Sequence, residues 1–218
     1  MKCDNKEISE YNVQSCDTVY SSMENITAQI QSVIGDIDQK DVCAMLEEIV
    51  ETKRSGGRIF VAGAGRSGLM GKAFAMRLMH MGFDAFVIGE TTTPAVKADD
   101  VLVAISGSGG TASVLYIANK AKSLNAKIVA LTSKSGSELG KISDVNVILP
   151  SKSRADAIDA NKTGANTSAN AGAAGKSGPM GTSFEILTIV FLDSIIAQLI
   201  DITSTPEEDM RKRHANTE

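Results

Sequence analysis

The spacing of apolar residues along the chain changes character at residue 58. Before it, apolar positions recur at helical spacing. Val19, Met23, Ile26, Ile30, Val33 and Ile34 make one stripe within residues 8–34, and Val42, Met45, Leu46, Ile49 and Val50 make a second. Gly35 separates the two. Asp38 is placed to cap the second helix, Asp41 lies in its first turn, and Gly56-Gly57 stop it. From residue 58 the apolar residues come in near-continuous blocks at 58–62, 84–88, 101–105, 127–131 and 145–149. Blocks of this length, rich in Val and Ile, read as strands covered on both faces. Helical stretches at 69–81 and 112–124 fall between them. The alternation predicts an α/β fold: a five-stranded parallel sheet in a three-layer α-β-α sandwich, preceded by N-terminal helices. A long apolar helix is predicted over 183–200, and a short last helix near Pro206, with Thr205 as its N-cap.

Two segments are set apart. Residues 1–57 read as helices that pack on the domain or on a partner subunit, and residues 58–218 as one domain. Residues 151–178 hold one large aliphatic, Ile158, and no aromatic, so they predict a flexible low-complexity insert within that domain. Phe184–Ile200 is apolar enough to suggest a membrane span, but Glu185 heads it and Asp193 interrupts it, which predicts a buried core helix.

Hydrophobic residues are 43% of the chain, aromatics 4% and Trp absent, so the core must be aliphatic. A net charge of −4 argues against a nucleic-acid partner, which would require a basic face. The basic run Arg211-Lys212-Arg213 sits beside Glu207, Glu208 and Asp209 and reads as a solvated helix end. Cys3, Cys16 and Cys43 are odd in number and form no C-x-x-C, which predicts neither a disulfide framework nor a zinc site. With no apolar leader at the N-terminus, the expected location is the cytoplasm.

The candidate chemistry lies in two turns, each following a strand. Gly63-Ala-Gly-Arg-Ser-Gly68 fits G-x-G-x-x-G, and Glu90 lies near the place of a ribose-binding acid, so a nicotinamide-dependent dehydrogenase is one reading of this turn. Ser106-Gly107-Ser108-Gly109-Gly110-Thr111 argues for another. It puts three hydroxyls and several backbone amides at a helix start, which suits a compact terminal phosphate. A dinucleotide fold has no need of such a turn after its third strand.

The pattern S-x-S-G-x-T after a strand resembles the phosphate loop of the sugar isomerase (SIS) fold. The stretches GAGRSGLMGKAFAMRLMHMGF (63–83), GETTTP (89–94), PMGTSFE (179–185) and RHAN (213–216) are similar to its 6-phospho-3-hexuloisomerase branch. The resemblance implies a flavodoxin-like SIS domain in which Ser67, Ser106, Gly107, Ser108, Gly109 and Thr111 hold a sugar phosphate. Gly65, Glu90, Thr91 and Thr92 would line the pocket. A keto group would move between C3 and C2 of a hexulose 6-phosphate through an enediol(ate), with no cofactor and no metal. A non-catalytic sugar-phosphate sensor is the alternative within the fold. Gly110 stands where many relatives have Glu, so no acid is expected there.

Glu185, in the first turn of the long apolar helix, is the candidate base. Its structural alternative is a capping box with Thr182. Arg66 would steady the phosphate or the enediolate charge. His80 and His214 would open the ring or shuttle hydroxyl protons. His80 ends the helix that begins at the first turn, roughly 20 Å away at 1.5 Å per residue, so it could serve a site only across a subunit interface. The expected partners are therefore a sugar phosphate and further copies of the chain in a homo-oligomer, a tetramer with shared sites. Coupling to a 3-hexulose-6-phosphate synthase is also implied.

Overall fold

The computed structural model describes residues 16–151 and 182–217. All but Ser151 of the insert expected at 151–178 lies outside them, as does Cys3; Cys16 and Cys43 are free thiols at the surface. Two helices come first, α1 (Asp17–Val33) and α2 (Gln39–Ser55), joined by a 3-10 turn. Asp38 caps α2 by accepting the Lys40 amide at 2.7 Å. Gly56 ends it in the left-handed conformation, at φ +73°.

The strands are β1 (Ile59–Gly63), β2 (Ala85–Val87), β3 (Val101–Ile105), β4 (Lys127–Thr132) and β5 (Val145–Ile148). They form one parallel sheet in the order β2-β1-β3-β4-β5. The helices between and after them are α3 (Arg66–His80), α4 (Ala112–Ser123), α5 (Glu138–Ile142), α6 (Thr182–Thr203) and α7 (Glu207–Lys212).

The two sides of the sheet are unequal. Ile59, Val61, Val103, Ile105, Val129 and Leu131 face a thick core shared by α2, α3 and α6, with Met45, Phe74, Leu78 and Leu192 wholly or almost wholly buried. The opposite face is thin. Ala62, Ala104 and Ala130 stand in register across three strands, and α4 lies on them through Val114, Ala118 and Ala121. At the amino end of the sheet Asp100, 2% exposed, takes a two-pronged ion pair from Arg58 and accepts the Arg58 and Lys97 amides. Burial alone would raise its pKa, but these donors outweigh burial and hold it below the ordinary value.

Two local expectations change. The last helix begins at Glu207 with Pro206, not Thr205, in the cap position, and no side chain caps it. The Thr205 hydroxyl is 2.6 Å from that of Thr203 instead, which closes the end of α6. The five-residue α5 is an addition: it buries one apolar side chain, Leu139, too few to show a period. α6 is, among the described helices, the one long and apolar enough to cross a membrane; here it packs on α3, α1 and α2.

Candidate active site

After β1 the chain turns to α3 on the thick face. After β3 it turns to α4 on the thin face. The two turns part at the carboxyl edge of neighbouring strands, where an open parallel sheet forms its ligand crevice.

In the first turn Gly65 has φ +57° and ψ −131°, a conformation that favours glycine. A Cβ on Gly63 would lie 2.8 Å from the Gly68 amide nitrogen, and one on Gly71 would lie 2.7 Å from Val61 Cγ1. These glycines let α3 start hard against β1. No side chain caps α3, so its first amides and the half-buried Ser67 stand at the crevice.

The second turn is held from below. Ser133 donates both its amide (2.9 Å) and its hydroxyl (2.7 Å) to the Gly107 carbonyl, and the Leu139 amide donates to that of Gly109 at 2.8 Å. Gly109 has φ +60°, and a Cβ there would strike the Ser137 side chain. Ser106 Oγ and Thr111 Oγ1 lie 2.9 Å apart, and the Ser108 hydroxyl accepts from the Gly110 amide at 3.2 Å. None of the three hydroxyls caps α4, whose N-terminus has no side-chain cap. A turn that needed only to start a helix would use one of them; this one leaves the helix amides open to an anion.

α6 brings the carboxylate to these turns. A Cβ on Gly107 would meet the Phe184 ring at 2.9 Å, so the second turn rests on the residue before Glu185. Glu185 Oε2 lies 2.7 Å from Arg66 Nε of the first turn; the carboxylate side chain is 14% exposed and the guanidinium 48%. The pair is an ion contact out of hydrogen-bond alignment, and Oε2 remains buried with no aligned donor. Glu185 thus joins no capping box with Thr182. The Thr182 hydroxyl is likewise buried and has no hydrogen-bond partner. On the outer side of this helix start, Ser183 donates to Gln29 of α1 at 2.7 Å.

The remaining candidates lie elsewhere. Glu90 pairs with Lys72 of α3 at 2.5 Å, in a turn beyond the edge strand β2, with Thr91 and Thr92 exposed beside it. Thr93 fastens that turn, its hydroxyl donating to the Val87 carbonyl. His80 and His214 stack on each other, ring centroids 5.2 Å apart, at the opposite end of α3. Arg213 donates to the His80 carbonyl at 3.2 Å and Lys53 to that of Met81 at 3.1 Å. His80 is 4% exposed; burial, then His214 and Arg77, push its pKa below the ordinary value. Among the described residues no cluster of His, Cys, Asp and Glu is placed to hold a metal ion. A concavity of about 470 Å³ between α2 and the end of α6, lined by Glu47, Glu51, Arg54 and Ile202, has neither turn in its wall.

Sequence reasoning missed Ser133, which holds the second turn, and Ser137, which caps α5 beneath it, although the run Ser133-Lys-Ser-Gly-Ser137 after a strand was a legible sign of another hydroxyl-rich turn. It considered Thr182 only as the partner in an alternative capping box, and it missed Lys72 as the partner of Glu90.

Fold and site together define a doubly wound α/β protein in which two turns with uncapped helix starts meet at the switch point beside a sheltered carboxylate. The model of the SIS domain matches residues 53–171, and the chain belongs to that family. It is 40% identical to an uncharacterized protein of Aeropyrum pernix, over 92% of each chain. It is 38% identical to the 3-hexulose-6-phosphate isomerase of Methanocaldococcus jannaschii, over 79% of this chain and 82% of that one. A crystal structure from Methanococcus jannaschii, from which a 3-hexulose-6-phosphate isomerase function was inferred, superposes with a TM-score of 0.70. It is 32% identical and covers 92% of this chain and 99% of that one. The order β2-β1-β3-β4-β5 and the Lys72–Glu90 pair leave the dinucleotide reading without support.

Proposed function

We propose that the chain is a 3-hexulose-6-phosphate isomerase, interconverting D-arabino-hex-3-ulose 6-phosphate and fructose 6-phosphate. The observation that carries this reading is the Glu185 carboxylate, sheltered and in contact with Arg66, one residue from the side chain on which the anion turn rests.

The 6-phosphate sits on Ser106, Ser108, Thr111 and the Gly107 amide, with Ser67 facing it from the first turn; Gly109, whose amide donates to the Ser106 carbonyl at 2.9 Å, shapes the turn around it. Anchoring that remote group orients the reacting carbons and lowers the entropic part of the barrier. Glu185 takes the proton from C2 of the 3-ulose. The electrons of that bond form the C2–C3 double bond, and the C3 oxygen becomes the enediolate. Glu185 returns the proton to C3, while the C2 hydroxyl passes its proton to the C3 oxygen as the new C2 carbonyl forms. Arg66, more exposed than its partner, turns from the carboxylate toward the enediolate oxygen and balances its charge. Gly65 gives the backbone room to approach, and Glu90, Thr91 and Thr92 line the outer rim.

The protein works in the cytoplasm as a homotetramer, and His80 and His214 serve the site of a neighbouring copy, coupled to the synthase that makes the 3-ulose. Turnover of 3-hexulose 6-phosphate, made in place from formaldehyde and ribulose 5-phosphate, tests the reading. Wild type is expected to produce fructose 6-phosphate. Glu185→Gln is expected to lose at least about 100-fold in kcat while binding fructose 6-phosphate nearly as before. Binding without turnover by the wild type would make the protein a sensor, and an unchanged kcat in E185Q would remove Glu185 as the base.

A further inference from the structure

Two oxygen atoms at the start of α6 are sealed from water and have no hydrogen-bond partner: Glu185 Oε2 and Thr182 Oγ1. Their residues are three apart on one helix, so their side chains rise from the same face with Cβ atoms about 5–6 Å apart. Glu185 has a reason to be there. Thr182 has none in the free fold. It is 8% exposed, and its hydroxyl does not pair with Glu185. Its neighbours behave differently: Ser183 bonds to Gln29, and Thr188, deeper in the helix, returns its hydroxyl to the Phe184 carbonyl at 2.7 Å. Folding has satisfied these two hydroxyls and left that of Thr182 open. A buried hydroxyl without a partner weighs against the folded state, and an apolar group of the same shape would remove that burden. A polar group kept under such conditions marks a place where a ligand completes the bonding.

We propose that Thr182 is a substrate-binding residue whose hydroxyl donates to the carbonyl oxygen on the carbon beside the one that Glu185 deprotonates. The assignment rests on the isomerase reading above. In an enediolate the carbon that loses its proton and the oxygen that gains charge are neighbours. A base and a donor side by side on one helical turn reach both at once. The donor is worth most when the oxygen carries negative charge, so Thr182 binds the reacting state more tightly than the ground state. Arg66 acts on the same oxygen from the first turn. Thr182 differs from it in being neutral and enclosed, so it remains a directed donor when the guanidinium moves.

The test uses Thr182→Val, which keeps the shape and removes the hydroxyl, and Thr182→Ser, which keeps the hydroxyl. T182V is expected to melt at or above the wild-type temperature, since it removes an unsatisfied polar atom. Its kcat should fall about 10- to 100-fold with KM changed less than threefold. T182S should restore most of kcat. A T182V enzyme with wild-type kcat would overturn the proposal. So would a T182V that melts several degrees lower, has its lost activity explained by unfolding, and is rescued in stability by T182S. Calorimetric titration with fructose 6-phosphate separates this proposal from the reading beneath it. If the wild type binds that ester but turns nothing over, the isomerase reading fails. Thr182 is then upheld by at least fivefold weaker binding in T182V and overturned by equal binding. Absence of binding by the wild type overturns both.

Discussion

Ser106 and Thr111 hydrogen-bond to each other across the mouth of α4 and leave the start of that helix open. In the proposed site, replacing Ser106 by Ala removes one phosphate donor and unties Thr111, but the lost hydroxyl makes no hydrogen bond to the sheet. Steady-state kinetics of S106A are expected to show KM for the sugar phosphate raised about tenfold, as for loss of one hydrogen bond to a charged group, with a smaller change in kcat. The melting temperature should stay within a few degrees. At this scale both turns were legible, because hydroxyls and glycines follow one another in a short string. The contact of Arg66 with Glu185, and the open hydroxyl of Thr182 one turn before it, were not. The contact joins residues more than a hundred positions apart, and nothing local distinguishes a Thr that caps from a Thr left open. T-x-x-E satisfies the capping pattern equally well, and only packing decides which occurs.

Elements were readable where they were long or continuous. All five strands lie within a residue or two of the apolar blocks; the central β1, β3 and β4, covered on both faces, need no alternation. α5 escaped for want of a period, and the start of α7 moved by one residue because Thr205 found Thr203 before it could cap. α7 leads into the stacked pair at the end of α3, where His80 and His214 meet among Arg77, Arg213 and Lys53. Burial, then His214 and Arg77, hold the folded-state pKa of His80 below 6.5, the ordinary value the unfolded chain retains. Between those two values the unfolded chain binds a proton that the folded one refuses, so stability falls as pH drops below 6.5. Melting curves from pH 8 to 5 should show this loss, and His80→Phe should flatten it. Asp100 contributes its acid sensitivity lower, as pH falls through a folded-state pKa below 3.8, so the two are separable.

The whole molecule leaves apolar surface uncovered. Tyr20, 63% exposed, lies with Val19 and Met23 on the free half of α1, and Leu69, Met76 and Met79 face outward on α3. A lasting interface buries about 1,600 Å² in total, and faces of this kind supply it. Light scattering should give the mass of four chains. Tyr20→Glu combined with Met23→Glu should reduce that mass and, with the histidines acting across subunits, the activity as well. Fold class was legible from alternation alone. Strand order was not: the pattern of apolar blocks is the same for 2-1-3-4-5 as for other parallel orders, and the choice depends on which face each crossover takes.

The row of Ala62, Ala104 and Ala130 has a reach beyond its own layer. Together with Phe60, Leu102 and Ile128 of the same face, these three methyl groups set how near α4 can come to the strands, and in the proposed site α4 carries the cup for the phosphoryl oxygens at its tip. The smallest side chains in the interior therefore act as shims. Their thickness fixes the height of that cup above the sheet, and with it the distance from the anchored end of the sugar to the carbons where the proton travels.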